Sequence, residues 1–95
     1  MNKLSKLRSD FITNTVEVMR EYDPSDDETF AEIVRNCIEV GLKPSILSNE
    51  FEVSESTISR WSRGKSSPVK LVRRAVVDRL VVLMFDKLEQ RDRSA

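Results

Sequence analysis

The sequence contains no histidine, which removes the commonest general base and the commonest transition-metal ligand. Its one cysteine, Cys37, cannot close an internal disulfide, and without histidine beside it the usual zinc ligand sets cannot be assembled within one chain. A lone thiol fits a reducing, cytoplasmic setting. Only two glycines and three prolines occur in 95 residues, so tight turns are few, and helices with short connections are favoured over a meander of strands. Neither a glycine-rich phosphate loop nor a nucleophile elbow is present. The basic N-terminal residues are not followed by an apolar core of signal-peptide length, and the apolar stretch Val81–Phe85 falls far short of a membrane span. The expectation is a cytoplasmic, non-catalytic protein with no cofactor, no metal and no membrane contact.

Net charge is also absent: sixteen bases balance sixteen acids. The distribution is uneven, however. Val16–Val40 holds eight acids and two bases, whereas Lys43–Arg74 holds seven bases and three acids. A nucleic-acid partner needs a basic face, not a basic total, although such clusters also arise on ordinary solvated surfaces.

What is present reads as one helical domain spanning 1–95, too short for two independent cores. Leu4, Leu7, Phe11, Ile12, Val16 and Met19 recur at roughly helical spacing and predict an N-terminal amphipathic helix ending near Arg20. Asp23-Pro24 interrupts it, because a residue before proline is pushed out of the helical region. Ser25-Asp26-Asp27-Glu28 reads as a capping box, with Ser25 as N-cap and Glu28 at the third helical position. A calcium loop is the alternative for this acidic cluster, but the alternating oxygen ligands and glycine of an EF-hand are missing. The next helix places Phe30, Ile33, Val34, Cys37 and Ile38 on one face and stops at Gly41. Cys37, inside that stripe, reads as a buried structural thiol.

Pro44 suits a first helical turn, where its missing N–H costs nothing, and Ile46, Leu47 and Phe51 give this helix an apolar side. After Glu52-Val53, Ser54 caps a second short helix, Glu55–Arg63, with Ile58 and Trp61 inward and Gly64 as its stop. Val53 and Ile58 are spaced as a hydrophobic staple. From Val69 to about Glu89 the chain is helical with two apolar sides. Val69, Val72, Val76, Leu80 and Leu83 form one. Val77, Val81, Met84, Phe85 and Leu88 form the other, which is expected to pair with a second copy.

Two short helices with a tight link over 44–63, the second with small polar residues outside, suit entry into a DNA major groove. Leu47, Phe51, Val53-Ser54, Ile58, Trp61 and Gly64, at this spacing, resemble the DNA-binding domains of the Cro and lambda-repressor-like family. Ser56–Trp61 is also similar to the recognition helix of lysogeny-establishing activators of lambdoid phages. The resemblance covers about Phe30–Pro68 and implies an all-α helix-turn-helix fold, here of about five helices with a long C-terminal one. Three residues depart from the family pattern. Glu52 stands where a glycine is usual and must turn left-handed or alter the turn. Ser48 replaces a small alanine, which is tolerable if its hydroxyl finds a carbonyl. Pro44 replaces a glutamine that contacts phosphate, leaving Ser45 or the helix N-terminus to do so.

Carried over position by position, the resemblance implies that Glu55, Ser56, Ser59 and Arg60 face base edges, Arg60 with two hydrogen bonds to guanine. Ser45, Thr57, Arg63, Lys65, Ser66 and Lys70 become phosphate contacts, which position without reading sequence, though each equally suits an ordinary exposed polar residue. Trp61 reads as core. The expected function is a transcriptional regulator, simplest as a repressor, bound to palindromic double-stranded DNA as a homodimer or tetramer. RNA polymerase, met through the acidic Asp23–Glu32 surface, is a further partner the sequence leaves open. The competing reading is a protein-interaction module, such as an antitoxin that binds a partner protein through its last helix. An enzyme built on Asp23 and Asp26 has no catalytic constellation behind it.

Overall fold

The computed structural model describes residues 3–23 and 26–94, with side chains at Asp10, residues 13–23 and 26–87, and Glu89. Five helices follow one another: α1 (Lys3–Arg20), α2 (Asp27–Glu39), α3 (Pro44–Phe51), α4 (Glu55–Ser62) and α5 (Lys70–Ser94). No strand occurs among the described residues, so the architecture is all-α with a long C-terminal helix. None of these helices is long and apolar enough to cross a membrane.

The ends of the helices are set by local chemistry. Asp26, not Ser25, caps α2: its carboxylate accepts from Thr29 N at 3.0 Å and from Thr29 Oγ1 at 2.6 Å. Two adjacent residues could each have capped, and the aspartate brings two acceptor oxygens and a negative charge to the positive end of the helix. The Thr29 hydroxyl, then its amide, hold the Asp26 carboxyl below its usual range. Ser25 lies outside the described residues. At the other end of α2, Leu42 N donates to Cys37 O at 3.0 Å and Gly41 N to Ile38 O at 3.1 Å, the paired bonds of a Schellman motif. Gly41 sits at φ +110°, and a Cβ there would come within 2.9 Å of Lys87 Cε. The same motif closes α4, with Lys65 N donating to Arg60 O and Gly64 N to Trp61 O, and Gly64 at φ +70°.

Phe30 lies at the centre of the core, fully buried on α2. Its ring meets Trp61 edge-on at 5.8 Å between centroids and Tyr22 at 6.4 Å, and Phe51 packs on Trp61 at 6.3 Å. Aromatics from the α1–α2 connection, α2, α3 and α4 are thereby joined into one cluster, continued by Met19, Ile33, Val34, Cys37, Leu47, Ile58, Val76, Leu80 and Met84. Burial pushes the Cys37 thiol up to about 12, as suits a structural thiol. Leu4, Leu7, Phe11 and Ile12 lie outside the residues whose side chains are described. Ile46 is 41% exposed and lies outside the core cluster, so α3 is held by Leu47 and Phe51.

The last helix differs from its sequence reading. Val77 and Met84, expected on a pairing face, are 0% exposed and belong to the chain's own core, because α1 and α2 both pack against α5. Val81 is half-buried on the same core. Phe85 is 40% exposed and carries the Arg20 guanidinium 5.3 Å above its ring; the Leu88 side chain lies outside the described set. Val69 and Val72, expected to face the core, are exposed instead, as is Leu71.

Arg73 is buried as well. Its guanidinium forms an ion pair with Asp27 at the start of α2. It also faces the Tyr22 phenol, where burial raises the pKa and Arg73 partly opposes that rise. Arg74 donates to Tyr22 O at 3.0 Å and pairs with Asp78 one turn away. These two arginines therefore tie α5 to the α1–α2 connection, although sequence counting had placed them in the basic segment.

Candidate nucleic-acid interface

The two short helices α3 and α4 are joined by Glu52, Val53 and Ser54. Glu52 takes the left-handed conformation, φ 55° and ψ 42°, in which a side chain costs roughly 1–2 kcal/mol. What holds it there is Ser48. The Ser48 carbonyl accepts from both Glu52 N and Val53 N, and the Ser48 hydroxyl donates to Val53 O at 2.6 Å. Ser48 thus closes the turn.

Ser54 caps α4, its hydroxyl accepting from Thr57 N at 3.1 Å. Inward, α4 is fixed by Ile58, fully buried, and by Trp61; burial of a side chain such as Ile58 contributes about 1.5–3 kcal/mol. Val53, ahead of the cap, packs on the same core, in keeping with a staple. At the C-terminal end, Arg35 from α2 donates through Nη1 to Ser62 O at 2.9 Å. The Ser62 hydroxyl turns back to Ser59 O at 2.7 Å. Both ends and one side of α4 are therefore anchored.

The outer side is open. At 100° per residue, Glu55, Ser56, Ser59 and Arg60 fall within an arc of about 140°, centred opposite Ile58 and Trp61. Glu55, Ser56 and Arg60 are exposed, and Ser59 is half-buried. Arg60 Nη2 donates to Thr57 Oγ1 at 3.1 Å, and among the described residues no carboxylate pairs with it. Thr57 is half-buried, its hydroxyl occupied by Arg60 and, at 3.0 Å, by Ser54 Oγ.

Of the other residues expected at a phosphate backbone, Ser45 is exposed in the first turn of α3, Lys65 and Ser66 are exposed between α4 and α5, and Lys70 is exposed as the first residue of α5. Arg63 is exposed but lines a cleft of about 430 Å³ together with Asp27, Glu28, Glu32 and Arg35, so carboxylates share its surroundings.

Two features of the surface were not foreseen. Arg35 clamps α4 from 27 residues away, a relation without local sequence signal. An apolar groove of about 610 Å³ runs between the helix pair and α5, lined by Phe51, Val53, Trp61, Pro68, Val72 and Ala75, with Glu50 and Arg79 also on its wall. Those two residues form an ion pair across it. Beside the groove stand Val69, 71% exposed, and Leu71, 86% exposed; the density of apolar residues early in α5 was the available signal. No family model, no curated protein and no solved structure matches this chain.

Proposed function

We propose that the chain is a sequence-specific DNA-binding transcriptional regulator that inserts the outer face of α4 into the major groove. One observation carries this reading: α4 is anchored through Ile58 and Trp61 while its opposite face presents Glu55, Ser56 and Arg60 to solvent. A groove-reading helix needs such a rigid mount and a thin polar front. The resemblance of the 44–63 segment to Cro and lambda-repressor-like domains supports the same reading. Arg60 supplies the guanine contact, Glu55, Ser56 and Ser59 the neighbouring base contacts, and Ser45, Lys65, Ser66 and Lys70 the phosphate contacts.

A lone module of this size makes few DNA contacts, and pairing across two half-sites is the usual remedy. The surface assigned to pairing is the exposed entry into α5, with Val69 just ahead of the helix and Leu71 in its first turn, next to the apolar groove that Val72 lines. Knob and groove lie next to each other on one chain, which is what an isologous contact between two copies requires. Repression by occupying a promoter is the simplest outcome of such binding.

The test is enrichment of duplexes from a random DNA pool by the full chain. The reading expects a sequence with two-fold symmetry and affinity that falls steeply with salt as counterions are released. Failure to enrich any sequence rejects it. The second reading, a module binding another protein as an antitoxin does, is favoured by the same exposed Val69–Val72 strip. It would leave DNA binding absent or untouched by Arg60→Ala.

A further inference from the structure

The polar side chains at the front of α4 are linked to one another. Thr57 Oγ1 lies 3.1 Å from Arg60 Nη2 and 3.0 Å from Ser54 Oγ, and Ser54 Oγ in turn accepts from Thr57 N at 3.1 Å. Resting on the DNA-reading role of α4, we infer that Thr57 is a specificity-determining positioning residue, holding the Arg60 guanidinium in the orientation that reads guanine instead of contacting phosphate itself.

The chemistry fixes the donor of one of the two bonds at Thr57 Oγ1. A guanidinium only donates, so Thr57 Oγ1 accepts from Arg60. Between Thr57 Oγ1 and Ser54 Oγ either hydroxyl can be the donor; where Thr57 donates, the cation polarises that O–H and strengthens the link. Ser54 is itself fixed as the cap of α4, so the chain of bonds runs from a rigid backbone point to the arginine head. A free arginine side chain samples many rotamers, and ordering it on binding costs affinity. One bond at Nη2 removes part of that freedom before DNA arrives.

The bond does not use up the arginine. Five N–H groups form two edges able to make parallel bonds, one shared by Nε and one Nη, the other by Nη1 and Nη2. A single Nη2 proton belongs to only one edge, so a two-bond contact to guanine stays available. The Thr57 hydroxyl, by contrast, already has a neighbour on each side and is poorly placed to donate to a phosphate oxygen as well.

The substitution that isolates this role is Thr57→Val, which keeps the β-branched shape and the backbone N–H capped by Ser54 while deleting the hydroxyl. Thr57→Ser restores the hydroxyl. Duplexes enriched by the wild-type chain from a random pool serve as probe, with single-base-pair variants at the guanine whose preference Arg60→Ala abolishes. Thermal melting confirms that each variant is folded. The inference expects Thr57→Val to lose about fivefold in discrimination at that base pair, the scale of one hydrogen bond, with other positions and the salt slope unchanged and with Thr57→Ser close to wild type. Wild-type discrimination in Thr57→Val overturns it. So does a uniform loss at all positions with the salt slope reduced by about one, the mark of a phosphate contact. A pool from which the wild-type chain enriches nothing overturns the DNA reading and this inference together, a failure visible before any Thr57 variant is measured.

Discussion

The hydroxyl of Ser48 donates to the carbonyl oxygen of Val53 at 2.6 Å, bridging the last turn of α3 to the residue that precedes the cap of α4. The same serine's carbonyl receives the amides of Glu52 and Val53. The angle between the two helices therefore depends on one side chain and on one left-handed residue, and the two can be varied separately.

Ser48→Ala deletes the donor and leaves a part-buried carbonyl without it, so we expect a loss of about 1 kcal/mol. Glu52→Gly relieves the left-handed strain at some cost in unfolded-chain entropy, and we expect a gain of about 0.5–1 kcal/mol. Each kilocalorie moves the melting temperature of a domain this size by roughly 4–8 °C. Calorimetry of both variants checks the opposite signs.

Arg73 is buried and Asp27 is its ion-pair partner. Removing the carboxylate with Asp27→Ala strands a buried charge, whereas Arg73→Met removes the charge and keeps an apolar stem of similar length. We expect Asp27→Ala to be the more destabilising of the two because it leaves the Arg73 charge unpaired, with the difference held to about 1–2 kcal/mol because Asp27 itself is well exposed and solvent weakens the pair. Urea unfolding of both variants decides the order.

Burial raises the Cys37 thiol from 9.0 to about 12. A group whose pKa is higher in the folded state contributes stability that is complete below the unfolded value and is lost as pH rises towards the folded one. Stability should therefore decline as pH rises from about 9 towards about 12, and Cys37→Ala should remove that part of the decline. At neutral pH the thiol should react with a disulfide reagent only at the rate of unfolding.

The exposed start of α5 carries the dimer proposal. Leu71→Glu with Val72→Glu should leave the fold intact and shift sedimentation from dimer to monomer, since neither side chain belongs to the core. A charge at Val77 or Met84 should instead unfold the chain. A wild-type protein that sediments as a monomer at micromolar concentration contradicts the pairing surface.

The order of the helices and most of their ends could be read directly from the residues. Ser54, Gly41, Gly64 and Pro44 act within a turn of where they stand, so their meaning does not depend on the rest of the chain. The face of α4 was readable for the same reason, Ile58 and Trp61 being three residues apart on one side. The α2 cap was missed by one residue because Ser25 and Asp26 are both good caps and sequence alone does not rank two oxygens against one. Part of α5 was misassigned for a deeper reason: Val76 and Leu80 lie in the core as expected, but Val77 and Met84 join them there. With apolar residues on most sides, its orientation is decided by where α1 and α2 lie, and that is non-local. Arg73 shows the same limit, since an arginine counts as surface charge until Asp27 and Tyr22 are seen to enclose it.

The most direct measurement is the binding of wild type and Arg60→Ala to an enriched duplex and to its single-base-pair variants, by fluorescence anisotropy at two salt concentrations. Our account predicts that Arg60→Ala loses discrimination at one guanine by about five- to 150-fold, while preferences elsewhere in the site persist. Equal affinity of the two proteins for every duplex would contradict it.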